Sequence, residues 1–249
     1  MRRILLIIPF IMLAAIQYSC VKDKPSSALI QPPSTPSVGP VTPSQPFNGG
    51  KKYLALGDSY TIGQGVSLAE GYPVQTKDWL IANGIPGIAD PQIIATSGWT
   101  TANLQNAIIV QNPTGPYDAV SLLIGVNDQY RGSDAAGYET RFRQLVEKSI
   151  SLANNLPSHV FVLSIPDYSV TPFAMYYDVD KIRKEINEFN AINKKVALSF
   201  NVQYLDITPS TQEAKNNPNL LCSDGLHPSG LEYKKWAGQL GRLMKTVLQ

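Results

Sequence analysis

A serine hydroxyl attacks a carbonyl only when a neighbouring base removes its proton. The residues that could form such a pair stand far apart in this chain. Gly57-Asp58-Ser59-Tyr60-Thr61 follows a short apolar run, and Asp224-Gly225-Leu226-His227-Pro228-Ser229-Gly230 precedes the last helical stretch. Gly57 lets the chain turn tightly, which would leave Ser59 exposed at a strand end. Three-residue spacing on a turn lets the Asp224 carboxylate reach and orient the His227 imidazole. Pro228 fixes the chain there, and Ser229 can cap the helix that follows. Ser97-Gly98 and Gly125-Val126-Asn127-Asp128 end two other apolar runs. Taken alone, each piece has an ordinary reading: Asp58-Ser59 as a helix cap, Gly98 and Asn127 as turn residues, His227 as a structural imidazole. His159 begins an apolar run, hence sits at the opposite edge of any sheet, and reads as structural.

The elements that must position these residues alternate in type. Apolar runs at Tyr53–Leu56, Ile93–Ala95, Ala119–Ile124, Val160–Ile165 and Val202–Ile207 are bounded by Gly, Pro, Asp or Asn and read as buried strands. Between them, Tyr138, Phe142, Leu145, Val146 and Ile150 fall at helical spacing, as do Ile182, Ile186, Phe189 and Val196. The tail repeats the period with Tyr233, Leu240 and Met244. Strands alternating with helices predict a parallel sheet of about five strands covered on both faces. Ligands of such sheets lie beyond the carboxyl ends of the strands. Ser59, Gly98 and Asn127 all stand there.

Composition removes several other functions. The chain has 249 residues, 16% charged and 43% apolar, enough for one sizeable core. Its formal net charge is +2, but residues 51–249 hold 17 Lys and Arg against 18 Asp and Glu. The basic surplus lies in Arg2, Arg3, Lys22 and Lys24, so no nucleic-acid partner is expected. Two cysteines at far ends, Cys20 and Cys222, make neither a disulfide scaffold nor a CxxC metal site. Two histidines are too few for a His-rich zinc centre.

The first residues read as an address. Arg2 and Arg3 precede an apolar run from Ile4 to Ile16, which suits a signal-peptide core and is short for a membrane span. Gln17-Tyr18-Ser19-Cys20 then resembles a bacterial lipobox, in which the cysteine becomes the lipidated first residue; Gln17 departs from the usual apolar residue. Val21 to Gly50 carries seven prolines and many serines, a composition that cannot offset its own ordering entropy. The expected layout is a signal over 1–19, a lipidated Cys20 with a Pro/Ser-rich tether over 20–50, and a folded domain over 51–249. Such a protein would be anchored by lipid in the cell envelope, facing the periplasm or the surface if the cell is Gram-negative. Lys22-Asp23-Lys24 weakly resembles a surface-export signal of some lipoproteins.

Taken in order, Gly57-Asp58-Ser59, Gly98, Gly125-x-Asn127-Asp128 and Asp224-x-x-His227-Pro228 resemble the four blocks of the SGNH (GDSL) hydrolase family, over residues 52–248. Gly125-Val126-Asn127-Asp128-Gln129-Tyr130-Arg131-Gly132 is similar to the third block of its thioesterase and lysophospholipase branch. Ile165 to Phe173 is similar to a loop of secreted esterases. Tyr60 departs from the Leu of the short motif, and Ile93 and Ala95 from the Asn and Gly often found in block two. The resemblance implies a flavodoxin-like three-layer α/β/α fold and a monomeric serine esterase that uses no cofactor. It implies a Ser59-His227-Asp224 triad, with the Ser59 and Gly98 amides and the Asn127 side chain as oxyanion donors. The implied substrate is a small ester or a lysolipid, as for a lysophospholipase or arylesterase. An acylated glycan is the alternative, and a non-catalytic binding module on the same fold is a further one. Asp58 and Asp128 read as turn anchors, Cys222 as a buried thiol, and Trp99, Tyr72 and Phe173 as candidate pocket walls.

Overall fold

The computed structural model describes residues 50–249. The expectations for the signal, Cys20 and nearly all of the tether lie outside these residues. The apolar runs form five strands: β1 (Tyr53–Gly57), β2 (Gln92–Ala95), β3 (Ala119–Leu123), β4 (Val160–Leu163) and β5 (Gln203–Leu205). Every residue of β1, β3 and β4 is buried, as continuous apolar runs covered on two faces require. All pairings are parallel, in the order β2-β1-β3-β4-β5. That is the flavodoxin-like order, which reverses direction between β2 and β3, on either side of β1.

Among the described residues eight α-helices connect or follow the strands: α1 (Ser59–Ile62), α2 (Tyr72–Ala82), α3 (Thr101–Gln111), α4 (Val126–Tyr130), α5 (Ala135–Leu152), α6 (Val179–Ser199), α7 (Thr208–Gln212) and α8 (Gly230–Leu248). The long ones bury one stripe each. Tyr138, Phe142, Leu145, Val146 and Leu152 face inward on α5, and Tyr233, Trp236, Leu240, Met244 and Leu248 do so on α8. Asp134 and Asp178 cap α5 and α6 by accepting the amides of Gly137 and Lys181. One outer layer is α2 packed on α8; the other contains α3, α5 and α6.

Two hydrogen-bond chains pin these layers to the sheet. On the first face the Tyr53 hydroxyl meets Ser121 Oγ at 2.8 Å, and Ser121 Oγ meets the Tyr72 hydroxyl at 3.3 Å. On the second, the Tyr138 hydroxyl lies 3.3 Å from the Ile124 carbonyl just past β3 and 2.7 Å from Asn193 Oδ1, tying α5 and α6 to the sheet. The strand after α6 is shorter than its apolar run, because Ile207 and Thr208 give their amides to Ser164 Oγ instead of extending the ladder.

Candidate active site

Block one is a tight turn made by sterics. A Cβ on Gly57 would collide with Thr61 Oγ1 and the Leu123 carbonyl, so only glycine lets β1 run this close to β3 and turn into α1. Asp58 caps α1 by accepting the Tyr60 amide at 3.0 Å. Ser59 is the first residue of α1 and is 6% exposed. Its amide therefore lies outside the intrahelical bonding pattern. The Tyr60 ring, wedged between the layers, lies 5.5 Å from the His227 imidazole and 6.4 Å from Trp236. This places the histidine loop against the serine turn. Among the described residues neither Ser59 Oγ nor His227 Nε2 makes a hydrogen bond.

Asp58 is fully buried, and its Oδ2 has no hydrogen-bond partner among the described residues. Burial pushes its carboxyl from the ordinary 3.8 up to about 8, with Asp128 adding a smaller push. The folded protein thus keeps a proton that the unfolded chain releases. Between those two pH values this group makes stability fall as pH rises, by at most about 1.4 kcal/mol per unit. Asp58→Asn keeps the capping oxygen and cannot ionise. Its Tm relative to wild type should rise steadily from about pH 5 to about pH 8. A constant difference in calorimetric scans across that range would show that Asp58 is not held neutral.

The histidine loop is held by a short ladder. Cys222 donates its amide to the His227 carbonyl, and Ser229 donates its amide to the Leu220 carbonyl, both at 2.8 Å. Within the loop, Asp224 Oδ2 meets His227 Nδ1 at 2.7 Å, while Asp224 Oδ1 accepts the amides of Leu226 and His227 at 2.9 Å each. Burial alone would raise the Asp224 carboxyl, but the His227 ring and these two amides outweigh it and hold the carboxyl below its ordinary value. An ionised Asp224 can only accept, so the hydrogen bond requires a proton on Nδ1. Ser229 stands at the cap position of α8, yet its hydroxyl accepts no helix amide and donates instead to the Asn219 carbonyl at 2.6 Å. The loop, not the helix, takes that bond.

The two remaining blocks meet block one through the sheet register. Gly57 at the end of β1 pairs with Ala95 on one side and Leu123 on the other. The segments after these three adjacent ends carry Ser59, Gly98 and Asn127. Asn127 Nδ2 donates to the Trp99 carbonyl at 3.0 Å, which joins the second and third segments and leaves its other hydrogen free. Gly98 sits at φ +81°, a backbone region that disfavours side chains; a Cβ there would make only ordinary contact, with Arg131 at 3.7 Å. Backbone conformation is therefore the protein's own reason for glycine. Arg131 donates to the Gly98 carbonyl at 2.9 Å and Ser97 Oγ to Gln64, so the loop is braced from both sides. Asp128, 1% exposed, takes the Thr101 amide and hydroxyl at 2.8 and 2.7 Å, anchoring α3 to α4.

The other singled-out residues separate clearly. Tyr72 is no pocket wall: it is fully buried, packs on Tyr233 and Trp236, and hydrogen-bonds Thr61 and Ser121. Cys222 is half-buried, not buried, and its thiol donates to the Pro228 carbonyl at 3.0 Å. Burial raises that thiol, with Asp224 and Glu70 adding to it, so it is a poor nucleophile at neutral pH. His159 lies just before β4 with Nδ1 2.7 Å from the Asp118 carbonyl, at the far edge of the sheet. Half-buried Trp99 and Phe173 stay near the site. The sequence reading missed Arg131 and Gln64. Arg131 had a signal, its place in the Gly125 to Gly132 stretch singled out above, and Gln64 had none.

The family model for GDSL-like lipases and acylhydrolases matches residues 55–235. No curated protein matches the chain. Among solved structures, Axe2, an acetylxylan esterase from Geobacillus stearothermophilus, is 23% identical over 80% of this chain and 95% of its own, with a TM-score of 0.60. A lipase/acylhydrolase from Enterococcus faecalis is 20% identical over 79% of this chain and 96% of its own, with a TM-score of 0.59. TesA is 16% identical over 79% of this chain and 99% of its own, with a TM-score of 0.63. The family match spans the serine turn, both neighbouring loops and the histidine loop, and these structures share the fold around them. This chain belongs to the GDSL-like lipase/acylhydrolase family and is an ester hydrolase.

Proposed function

We propose that the protein hydrolyses carboxylic esters through Ser59, His227 and Asp224. The observation that carries this reading is the convergence of the three strand ends, Gly57, Ala95 and Leu123, beside a bonded Asp224–His227 pair. His227 Nε2 takes the Ser59 proton as Oγ attacks the ester carbonyl. Asp224 keeps the imidazole in the accepting tautomer and stabilises the cation that forms. The Ser59 and Gly98 amides and the Asn127 amide receive the oxyanion, each such donor being worth about 10²–10³ in turnover. His227 returns the proton to the leaving alcohol, and water then releases the acid and frees Ser59.

A series of p-nitrophenyl esters from acetate to palmitate tests the reading. Hydrolysis with saturable kinetics supports it, and the chain-length profile separates an acetylesterase from a lipid-type enzyme. Silence on the whole series would favour a binding module that has lost turnover.

We further propose that Cys20 is lipidated and that the domain works on a leash at the cell envelope. The support is the order of charge, apolar run, Ser19-Cys20 and proline-rich segment. About 30 residues reach up to ~100 Å when extended. In a host that processes lipoproteins, wild type should sediment with membranes and incorporate labelled fatty acid, while Cys20→Ser does neither. Wild type that stays soluble and unlabelled would leave only a secretion signal.

A further inference from the structure

Beside the catalytic loops lies an aromatic surface that ester cleavage itself does not use. Tyr130 closes α4, three residues beyond Asn127, and is 51% exposed. Its ring lies 6.3 Å from both Phe173 and Tyr177, and Phe173 and Tyr177 stack at 5.6 Å with planes 20° apart. Tyr177 is 47% exposed, and the neighbouring Tyr176 is 87% exposed. The cluster is ordered from beneath. Buried Tyr168 meets Tyr130 and Phe173 edge-on and donates its hydroxyl to Gln129 at 2.9 Å. Exposed apolar patches rimmed by polar groups mark binding surfaces.

The cluster is tied to the histidine loop. The Phe173 amide donates to the Gly225 carbonyl at 3.0 Å, and Pro172 packs against Gly225. Gly225 lies between Asp224 and His227 in the loop. The aromatic segment is thus fastened to the loop whose imidazole protonates the leaving oxygen. The alcohol half of an ester must leave on the His227 side.

The chemistry of the surface selects that alcohol. The Tyr130 and Tyr177 hydroxyls lie 3.3 Å apart, sharing one hydrogen bond and leaving acceptor and donor capacity at the rim. A saturated chain satisfies neither hydroxyl. A sugar ring presents an apolar C–H face to the aromatic faces and hydroxyls to the phenols. We propose that Tyr130, Phe173 and Tyr177 form the leaving-group subsite, and that the alcohol is a pyranose unit of an acylated glycan. The direction of the ester rests on the assignment of Ser59 and His227 above.

Binding and turnover test this separately. Ser59→Ala protein is titrated calorimetrically with xylohexaose, cellohexaose and mannohexaose, alone and with Tyr177→Ala added. At least one oligosaccharide should bind, and Tyr177→Ala should weaken it about tenfold, the equivalent of one good aromatic contact. In the Ser59 protein, Tyr177→Ala should lower the ratio of kcat/KM on the acetylated form of that oligosaccharide to kcat/KM on ethyl acetate, mainly through KM. No binding by any of the three, or binding indifferent to Tyr177→Ala, overturns the subsite. A Tyr177→Ala defect on lysophosphatidylcholine but not on the glycan also overturns it, in favour of a lipid. Tyr177-dependent binding without hydrolysis of any ester would sustain the subsite and remove the esterase mechanism.

Discussion

Ser59→Ala should lower turnover on any ester the wild type cleaves by about six powers of ten, the loss typical when a serine nucleophile is removed. The fold should survive the change. Ser59 makes no side-chain hydrogen bond among the described residues, and the cap of α1 comes from Asp58. Alanine also favours the first turn of a helix at least as well as serine. Circular dichroism and Tm should therefore match wild type while the rate falls to background. A purified variant that retains even about a hundredth of wild-type turnover would place the nucleophile elsewhere, since oxyanion donors and binding without the serine leave only about 10³–10⁴ over the reaction in water. A phosphonate ester that labels wild type and not the variant, located by peptide mass, would fix the attacked oxygen independently.

The second large effect concerns Asn127. Removing its amide should lower kcat by about 10²–10³ with little change in KM, because the bond to the oxyanion tightens only as the tetrahedral intermediate forms. The alternative role for Asn127 is structural, through its bond to the Trp99 carbonyl at 3.0 Å. The two roles leave different traces. Loss of the Trp99 bond alone would lower Tm, by an amount matching roughly 1 kcal/mol, and would loosen the Gly98 loop enough to raise KM. Steady-state kinetics of Asn127→Ala beside its melting curve separate them. A kcat within a few-fold of wild type would leave the oxyanion with only the Ser59 and Gly98 amides.

The deepest agreement between sequence and structure lies in local features. Buried strands appear as unbroken apolar runs, and the stripes of α5, α6 and α8 appear at helical spacing, because burial on a fixed period is written directly into residue order. The Asp224–His227 contact is equally local: three-residue spacing on one turn lets carboxylate and imidazole meet at 2.7 Å. The turn at Gly57 is legible too, though the reason it must be glycine, the Leu123 carbonyl and the Thr61 hydroxyl, is not.

What joins distant segments was decided by tertiary structure. The periodicity of β1, β2 and β3 says nothing of their order, and only the sequence β2-β1-β3 brings the Ser59, Gly98 and Asn127 segments to neighbouring strand ends. Tyr72 illustrates the same gap in reverse. A tyrosine near a loop reads as a pocket wall, yet α8 packs across α2 and buries it completely, with its hydroxyl satisfied by Thr61 and Ser121. Arg131 on the Gly98 carbonyl, and Tyr130 against Phe173 and Tyr177, depend on loops from different strands meeting over the sheet edge. Period and spacing along the chain determine which face of an element is buried and which near neighbours touch. Contacts between segments far apart depend on strand order and helix packing, which are settled by how all the buried faces close on one another at once.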